Sequence, residues 1–300
     1  MKRLLSVALT STLLLAALAG CGSAAPASSA GDSGGSGFDP STPITVISRE
    51  PGSGTRGAFV ELFGIEEKGA DGSKVDRTTL EAVIANQTNV VMTSVAGDPY
   101  AIGYSSLGSL NDSVKALRVD GAEATAENVA SGAYKAARPF NIATKGEPEG
   151  LAGDFIGFIL SADGQAVVGD SGYIAVAADA APYAGDRPEG KLVIAGSSSV
   201  APVMEKLIEA YREINPKAVI ELQSSDSTAG MTAAIDGACD IGMASRALKE
   251  EEAAALRGLA IANDGIAVVV APGNPLEEIT GEQVRQVFTG EITTWDALAG

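Results

Sequence analysis

Apolar and polar positions follow one another in a recurring order along this chain. A short apolar run gives way to a turn rich in glycine and hydroxyl side chains, and a segment with apolar residues at helical spacing follows. The first instance is Ile44-Thr45-Val46-Ile47, then Ser48-Arg49-Glu50-Pro51-Gly52-Ser53-Gly54-Thr55, then a predicted helix over 56–63. The second is the run from Leu192, then Gly196-Ser197-Ser198-Ser199, then a helix from about Ala201. Pro202 lies in the first turn of that helix, and Val203, Leu207, Ile208, Tyr211 and Ile214 make its apolar stripe. A third polar turn, Ser224 to Thr228, follows the strand-like Val219 to Leu222.

Between these turns the pattern predicts a mostly helical stretch over 76–96, strands at 101–104 and 114–119, and a Thr125-capped helix running to Lys135. Residues 138–147 read as an extended crossing segment. Helices follow over 153–160 and 162–168, with an extended end at 173–176. After the third turn come helices at 231–237 and 249–256, a strand at 266–270 and a Thr280-capped helix over 282–288. Strands alternating with helices through short turns predict an α/β architecture with ligands at the carboxyl ends of strands.

A strand, a glycine-serine turn and a helix start together form an anion cradle. The glycines let backbone N–H groups turn inward, the hydroxyls add donors, and the helix N-terminus adds its dipole. Arg49 adds a planar fork able to grip an oxyanion through two parallel hydrogen bonds. Each of these turns also reads as a plain helix cap, and capping and binding are compatible. Their recurrence in both halves of the chain suits a ligand held between two lobes.

Composition narrows the chemistry. The 300 residues carry a net charge of −17, which argues against nucleic acid as a partner. A dry cleft answers to local dipoles more than to distant screened charge, so an acidic protein can still bind an anion. There is no histidine. That excludes Ser-His-Asp and Cys-His catalytic units and any His-ligated metal. Ser-x-x-Lys and Gly-Lys-Ser/Thr motifs are also missing, so a hydrolase using Ser53 or Ser199 as nucleophile lacks its base. Neither a cofactor nor a metal is expected.

The first 20 residues read as a signal peptide: Lys2 and Arg3, then a largely apolar Leu4 to Leu15. Leu18-Ala19-Gly20-Cys21 resembles a bacterial lipobox, with Cys21 as the lipidated residue and anchor to the cell membrane. The alternative is an ordinary secretory signal in which Cys21 is incidental. Residues 21–40 form a Gly/Ala/Ser-rich tether whose free part spans roughly 20–25 Å as a random coil. Cys239 reads as a small buried apolar residue, and no disulfide framework is expected.

Taken together, the motifs resemble the phosphate-binding protein of bacterial phosphate ABC importers, over nearly the whole chain after the tether. The matching segments are Arg49 to Thr55, Ile102-Gly103-Tyr104, Gly196 to Pro202, Asp240-Ile241-Gly242-Met243-Ala244-Ser245-Arg246, and Phe288 to Trp295. The resemblance implies a two-lobed type II periplasmic-binding fold with a hinge. It also implies a monomeric, membrane-tethered receptor that hands inorganic phosphate to a permease. The order of the motifs departs from the family, where the Gly-Ser-Ser-Ser turn lies near the mature N-terminus. A circular permutation accounts for this, with residues 181–190 joining the family's usual termini and new ends between Trp295 and Ile44; a rearranged or partial gene product is the competing account. One lobe then comprises residues 41–139 and 272–300, the other 140–180 and 191–271.

Carried over position by position, the resemblance implies phosphate contacts from Arg49, Ser53, Gly54 and Thr55 on one lobe. The other lobe supplies Ser199, the Val200 backbone N–H and Ser227. Ser198, Ser245, Arg246, Asp226 and Asp240 are further candidates. In many family members an aspartate accepts a hydrogen bond from protonated phosphate and so disfavours sulfate. Arg246 occupies that position here, leaving Asp226, Asp240 or Glu50 as substitute acceptors. Receptors for sulfate or molybdate, or a ligand-free surface lipoprotein of the same fold, are the alternatives.

Overall fold

The computed structural model describes residues 37–70, 72–177 and 179–298. The expected signal peptide, Cys21 and most of the tether lie outside these residues. The first stretch contains β1 (Thr45–Arg49), α1 (Gly54–Leu62), β2 (Glu66–Lys68), β3 (Lys74–Asp76), β4 (Val83–Ala85) and α2 (Thr88–Gly97). Next come β5 (Ala101–Ser106), β6 (Lys115–Ala116), β7 (Arg118–Val119), α3 (Ala126–Ser131), β8 (Ala137–Thr144), α4 (Gly150–Ile159) and α5 (Ala162–Asp170). The remainder is β9 (Gly190–Ser197), α6 (Ala201–Ile214), β10 (Ala218–Ser225), α7 (Ser227–Asp236), β11 (Ile241–Ala244), α8 (Glu250–Ala255), β12 (Arg257–Val270), β13 (Glu278–Ile279) and α9 (Gly281–Thr289).

One nine-stranded sheet in the order β10-β9-β11-β8-β12-β5-β1-β4, with β6 also on β12, runs through the molecule. Its two ends are parallel α/β arrangements, and antiparallel β8 and β12 join them. β12 pairs with β8 over Arg257–Gly265 and then with β5 over Ile266–Val270. Side-chain alternation along β12 serves both faces of the sheet. Ile266, Val268 and Val270 enter one core with Phe59, Tyr104 and Phe288, while Ala267 and Val269 enter another with Ile47, Val91 and Val95. The second lobe repeats this: Leu192, Ile194, Ile241 and Met243 face α4, α5 and α6, and Ala195 and Ala244 face α7. Each fully buried Phe or Ile adds about 1.5–3 kcal/mol from apolar area removed from water.

Three sequence expectations change. The stretch over 76–96 is not mostly helical: it holds β4, whose Val83 and Ile84 are half-exposed on a sheet edge and so lack the apolar alternation of a core strand. β12 begins nine residues before the predicted 266, through a Gly-, Asn- and Asp-containing stretch that pairing with β8 keeps extended. Because Ile266–Val270 pack with the first lobe, the exchange between lobes falls inside β12 and not at residue 271.

Residues 183–189 lie against α4 and α6. The Tyr183 and Tyr211 hydroxyls both donate to Asp154 Oδ2 at 2.5 Å, and the Asp186 N–H donates to Asp154 Oδ1 at 2.8 Å. Asn215 donates to the Pro188 carbonyl at 2.9 Å. Burial alone would raise the Asp154 pKa, but these donors together hold it below its ordinary value. A carboxylate with a depressed folded-state pKa contributes stability above the unfolded carboxylate range and loses it as pH falls through the folded value. Asp154→Ala is therefore expected to cost about 2 kcal/mol at pH 7, the scale of charge-assisted bonds lost. The cost should shrink toward acid pH; equal losses at pH 7 and pH 3 in denaturant unfolding would contradict this account.

The two described ends lie side by side. Ile44 N–H donates to the Thr293 carbonyl at 2.8 Å, Asp296 N–H to the Pro40 carbonyl at 2.8 Å, and Phe38 packs edge-on against Trp295.

Candidate functional site

The polar turns converge at the carboxyl ends of the strands. β1 ends at Arg49, β9 at Ser197, β10 at Ser225 and β11 at Ala244, and the helices that start beside them are α1, α6, α7 and, after β4, α2. Four helix N-termini thus face one buried cluster of hydroxyls. Thr55 and Thr88 come from one lobe; Ser197, Ser198, Ser199, Ser227 and Ser245 come from the other. All seven are less than 9% exposed.

The hydroxyls interlock across the lobes. Thr55 Oγ1 lies 2.8 Å from Ser199 Oγ and 3.2 Å from Ser245 Oγ, and Thr88 Oγ1 lies 2.9 Å from Ser199 Oγ. Ser197 Oγ is 3.0 Å from Ser245 Oγ, and the Ser245 N–H donates to Ser227 Oγ at 3.1 Å. Gly54 lets the lobes approach: a Cβ there would lie 2.5 Å from Ser227 Oγ and 2.9 Å from Ser245 Oγ.

Arg49 enters from the end of β1, 2% exposed. Its N–H donates to the Tyr104 hydroxyl at 3.0 Å, and Tyr104 is itself stacked on Phe59 at 3.9 Å. Burial pushes the Tyr104 pKa up, so the hydroxyl stays neutral. Glu50 takes one edge of the guanidinium, at 2.8 Å from Nε and 2.7 Å from Nη2. The other edge meets hydroxyls, with Nη1 donating to Thr88 Oγ1 and Nη2 to Ser198 Oγ, each at 3.1 Å. The Thr88 N–H also donates to Ser198 Oγ, at 3.2 Å. Both lone pairs of Ser198 are then filled, so its hydrogen goes to Thr88 Oγ1 at 3.2 Å. Thr88, now accepting twice, donates to Ser199. Arg49 and the α2 N-terminus therefore set this wall of the cluster as a line of donors.

A second buried cation lies beneath the cluster. Arg138, in β8, pairs with Asp264 at 2.8 Å, the two side chains 2% and 0% exposed. Its Nη2 donates to Thr55 Oγ1 at 3.0 Å and its Nε to the Ser245 carbonyl at 3.1 Å. Burial pushes the Arg138 pKa down and the Asp264 pKa up, and their mutual attraction opposes both shifts.

Of the sequence-derived candidates, Arg49, Thr55, Ser198, Ser199, Ser227 and Ser245 are brought together, with Gly54 at the contact between lobes. Ser53 is buried beside them and caps α1, accepting from the Arg56 N–H at 3.3 Å. The Val200 N–H expected as a ligand donor is engaged in the turn entering α6, donating to the Ser197 carbonyl at 3.0 Å. Asp240 precedes β11 while Ser245 follows it, so its carboxylate sits at the opposite strand end, accepting from the Val193 N–H at 2.7 Å. Asp226 caps α7 through the Ala229 N–H at 2.8 Å. Arg246 runs past Gly54 but is held by both oxygens of Glu252, at 2.7 and 2.8 Å. Burial alone would raise the Glu252 pKa; the bonds from Arg246 and the Lys249 N–H leave it lowered on balance. None of the carboxylates Glu50, Asp226 or Asp264 is hydrogen-bonded to a cluster hydroxyl. Thr88, Ser197, Arg138 and Asp264 were not anticipated. Thr88 follows the unrecognised β4, and Arg138 lies in an apolar strand with no local motif.

Comparison with known proteins agrees with this architecture. Residues 32–163 and 181–300 match the family model described as a PBP superfamily domain. The phosphate-binding protein PstS 2 of Streptococcus agalactiae serotype V is 50% identical over 300 residues, covering 99% of this chain and 98% of that protein. PstS 2 of Streptococcus pneumoniae serotype 4 is 47% identical over 255 residues, covering 85% and 87% respectively. The crystal structure of a phosphate-binding protein of a phosphate ABC transporter from S. pneumoniae TIGR4 superposes with a TM-score of 0.68 at 47% identity, covering 86% of this chain and all of that one. A two-lobed α/β frame with hydroxyl-bearing helix N-termini meeting between the lobes, and full-length likeness at half identity, place the chain in the PBP superfamily and, within it, in the family of bacterial phosphate-binding proteins to which the streptococcal PstS 2 proteins belong.

Proposed function

We propose that the hydroxyl cluster between the lobes is where inorganic phosphate is held. Arg49 supplies the charge and a two-pronged edge; Thr55, Thr88, Ser198, Ser199, Ser227 and Ser245 supply hydroxyls. The first-turn N–H groups of Gly54 and Thr55, which have no acceptor within α1, are backbone donors. The protein is an extracytoplasmic substrate receptor of a phosphate ABC transporter, not an enzyme. Binding replaces the anion's water with protein donors, and the lobes move about the β8–β12 crossing as the site opens and shuts. The carrying observation is Arg49: a buried arginine with one edge neutralised by Glu50 and the other aimed at hydroxyls of both lobes.

In the same reading the chain is anchored to the membrane through lipid on Cys21, acts as a monomer and passes phosphate to a permease. The circular permutation is also part of it, supported by the side-by-side ends. A fully deprotonated oxyanion such as sulfate is the second reading, favoured because, among the described residues, no carboxylate is hydrogen-bonded to a cluster hydroxyl. Calorimetric titration of the domain from Phe38 onward, stripped of endogenous anion, tests both. Tight binding of phosphate with weak binding of sulfate and molybdate is the expected result. Preference for sulfate changes the substrate, and no binding by a folded domain removes the receptor assignment.

A further inference from the structure

We propose that Arg138 is a positioning residue of the anion site: it orients the Thr55 hydroxyl and ties it to the opposite lobe, with Asp264 holding Arg138 in place. The inference rests on the cluster being the anion site.

Arg138 and Asp264 are directly opposed on β8 and β12, at the point where β12 passes from one lobe to the other. A dry ion pair is a poor way to stabilise a hinge, because apolar residues of similar volume do as well or better. Its bonds indicate another role. Nη2 reaches Thr55 on the first lobe, Nε reaches the Ser245 carbonyl on the second, and Nη1 reaches the Gly265 carbonyl at 3.1 Å. Asp264 is fixed in turn by the Ser106 hydroxyl at 2.8 Å and the Gly108 N–H at 3.3 Å. A guanidinium donates and never accepts, so it permanently fills one lone pair of Thr55 Oγ1. The Thr55 hydrogen must point away from Arg138, toward the side of Ser199 and Ser245. Arg138 does for Thr55 what Arg49 does for Thr88: each arginine backs one threonine and turns it into a donor. Like Arg49, Arg138 is bonded to both lobes at once, and its geometry is complete only when Thr55 and Ser245 are together.

The test separates positioning from ion-pair stability. Arg138→Met alone strands the buried Asp264 charge, and its unfolding midpoint should drop. Arg138→Met with Asp264→Asn removes the pair together and should recover the midpoint. If the pair were merely structural, the double variant would bind phosphate like the unaltered protein, and that result overturns the proposal. The expected result is recovered stability with phosphate affinity weakened about 30-fold, the loss of one charge-assisted hydrogen bond. In a Thr55→Val background the same double change should weaken binding less than about threefold, because the bonded oxygen is gone. A full additional 30-fold loss there would show that Arg138 does not act through Thr55. Failure of the unaltered protein to bind phosphate is a separate outcome, which removes the anion site itself.

Discussion

Arg49→Ala is expected to weaken phosphate binding by about 30- to 700-fold, corresponding to ~2–4 kcal/mol for a desolvated charge-assisted pair. The size follows from how the guanidinium is shared. Glu50 already neutralises one edge, so the anion meets the two Nη groups that now donate to Thr88 and Ser198. Removing the side chain deletes both prongs and releases the lone pairs of Ser198 and Thr88. Those hydroxyls are then free to turn their hydrogens elsewhere when no anion is bound. Arg49→Lys keeps the charge but not the fork, and should fall between the two. Titration calorimetry reads both variants, with thermal unfolding as a control for folding. Affinity within threefold of the unaltered protein in Arg49→Ala would refute the site.

Gly54→Ala should uncouple folding from binding. The new methyl would sit 2.5 Å from Ser227 Oγ, 2.9 Å from Ser245 Oγ and 3.0 Å from Arg246 Cγ, all on the other lobe. These atoms cannot yield easily: Ser227 Oγ accepts from the Ser245 N–H, Ser245 Oγ is bonded to Ser197, and Glu252 holds Arg246. The lobes must instead separate by about 1 Å, a displacement that costs on the order of a hundredfold in a preorganised site. Within α1 the substitution is benign, since alanine favours helix over glycine by up to ~1 kcal/mol. The expected outcome is an unfolding midpoint unchanged or raised without anion, and phosphate affinity down about a hundredfold. Unchanged affinity would mean that the lobes do not meet across Gly54 when phosphate is bound.

The sequence alone determined the local half of this protein. The strand-turn-helix at Ile44 to Phe63 and that at Leu192 to Ile214 were legible because each is written within about twenty residues: an apolar run, glycines and hydroxyls, a cap, then helical spacing. Arg49, Thr55 and Ser199 stood out because they belong to those turns. Tertiary structure decided everything that depends on pairing across the chain. β4 is a strand because β1 offers it an edge, although its own residues read as helix. β12 is fourteen residues long because β8 and β5 hold successive parts of it extended. The pairing register sets Arg138 opposite Asp264, 126 positions away, and their burial makes that juxtaposition matter. Likewise Asp240 and Ser245, five positions apart in the sequence, are sent to opposite strand ends. Periodicity and caps report which face or turn a residue occupies; they carry no record of the partner that chain folding brings against it.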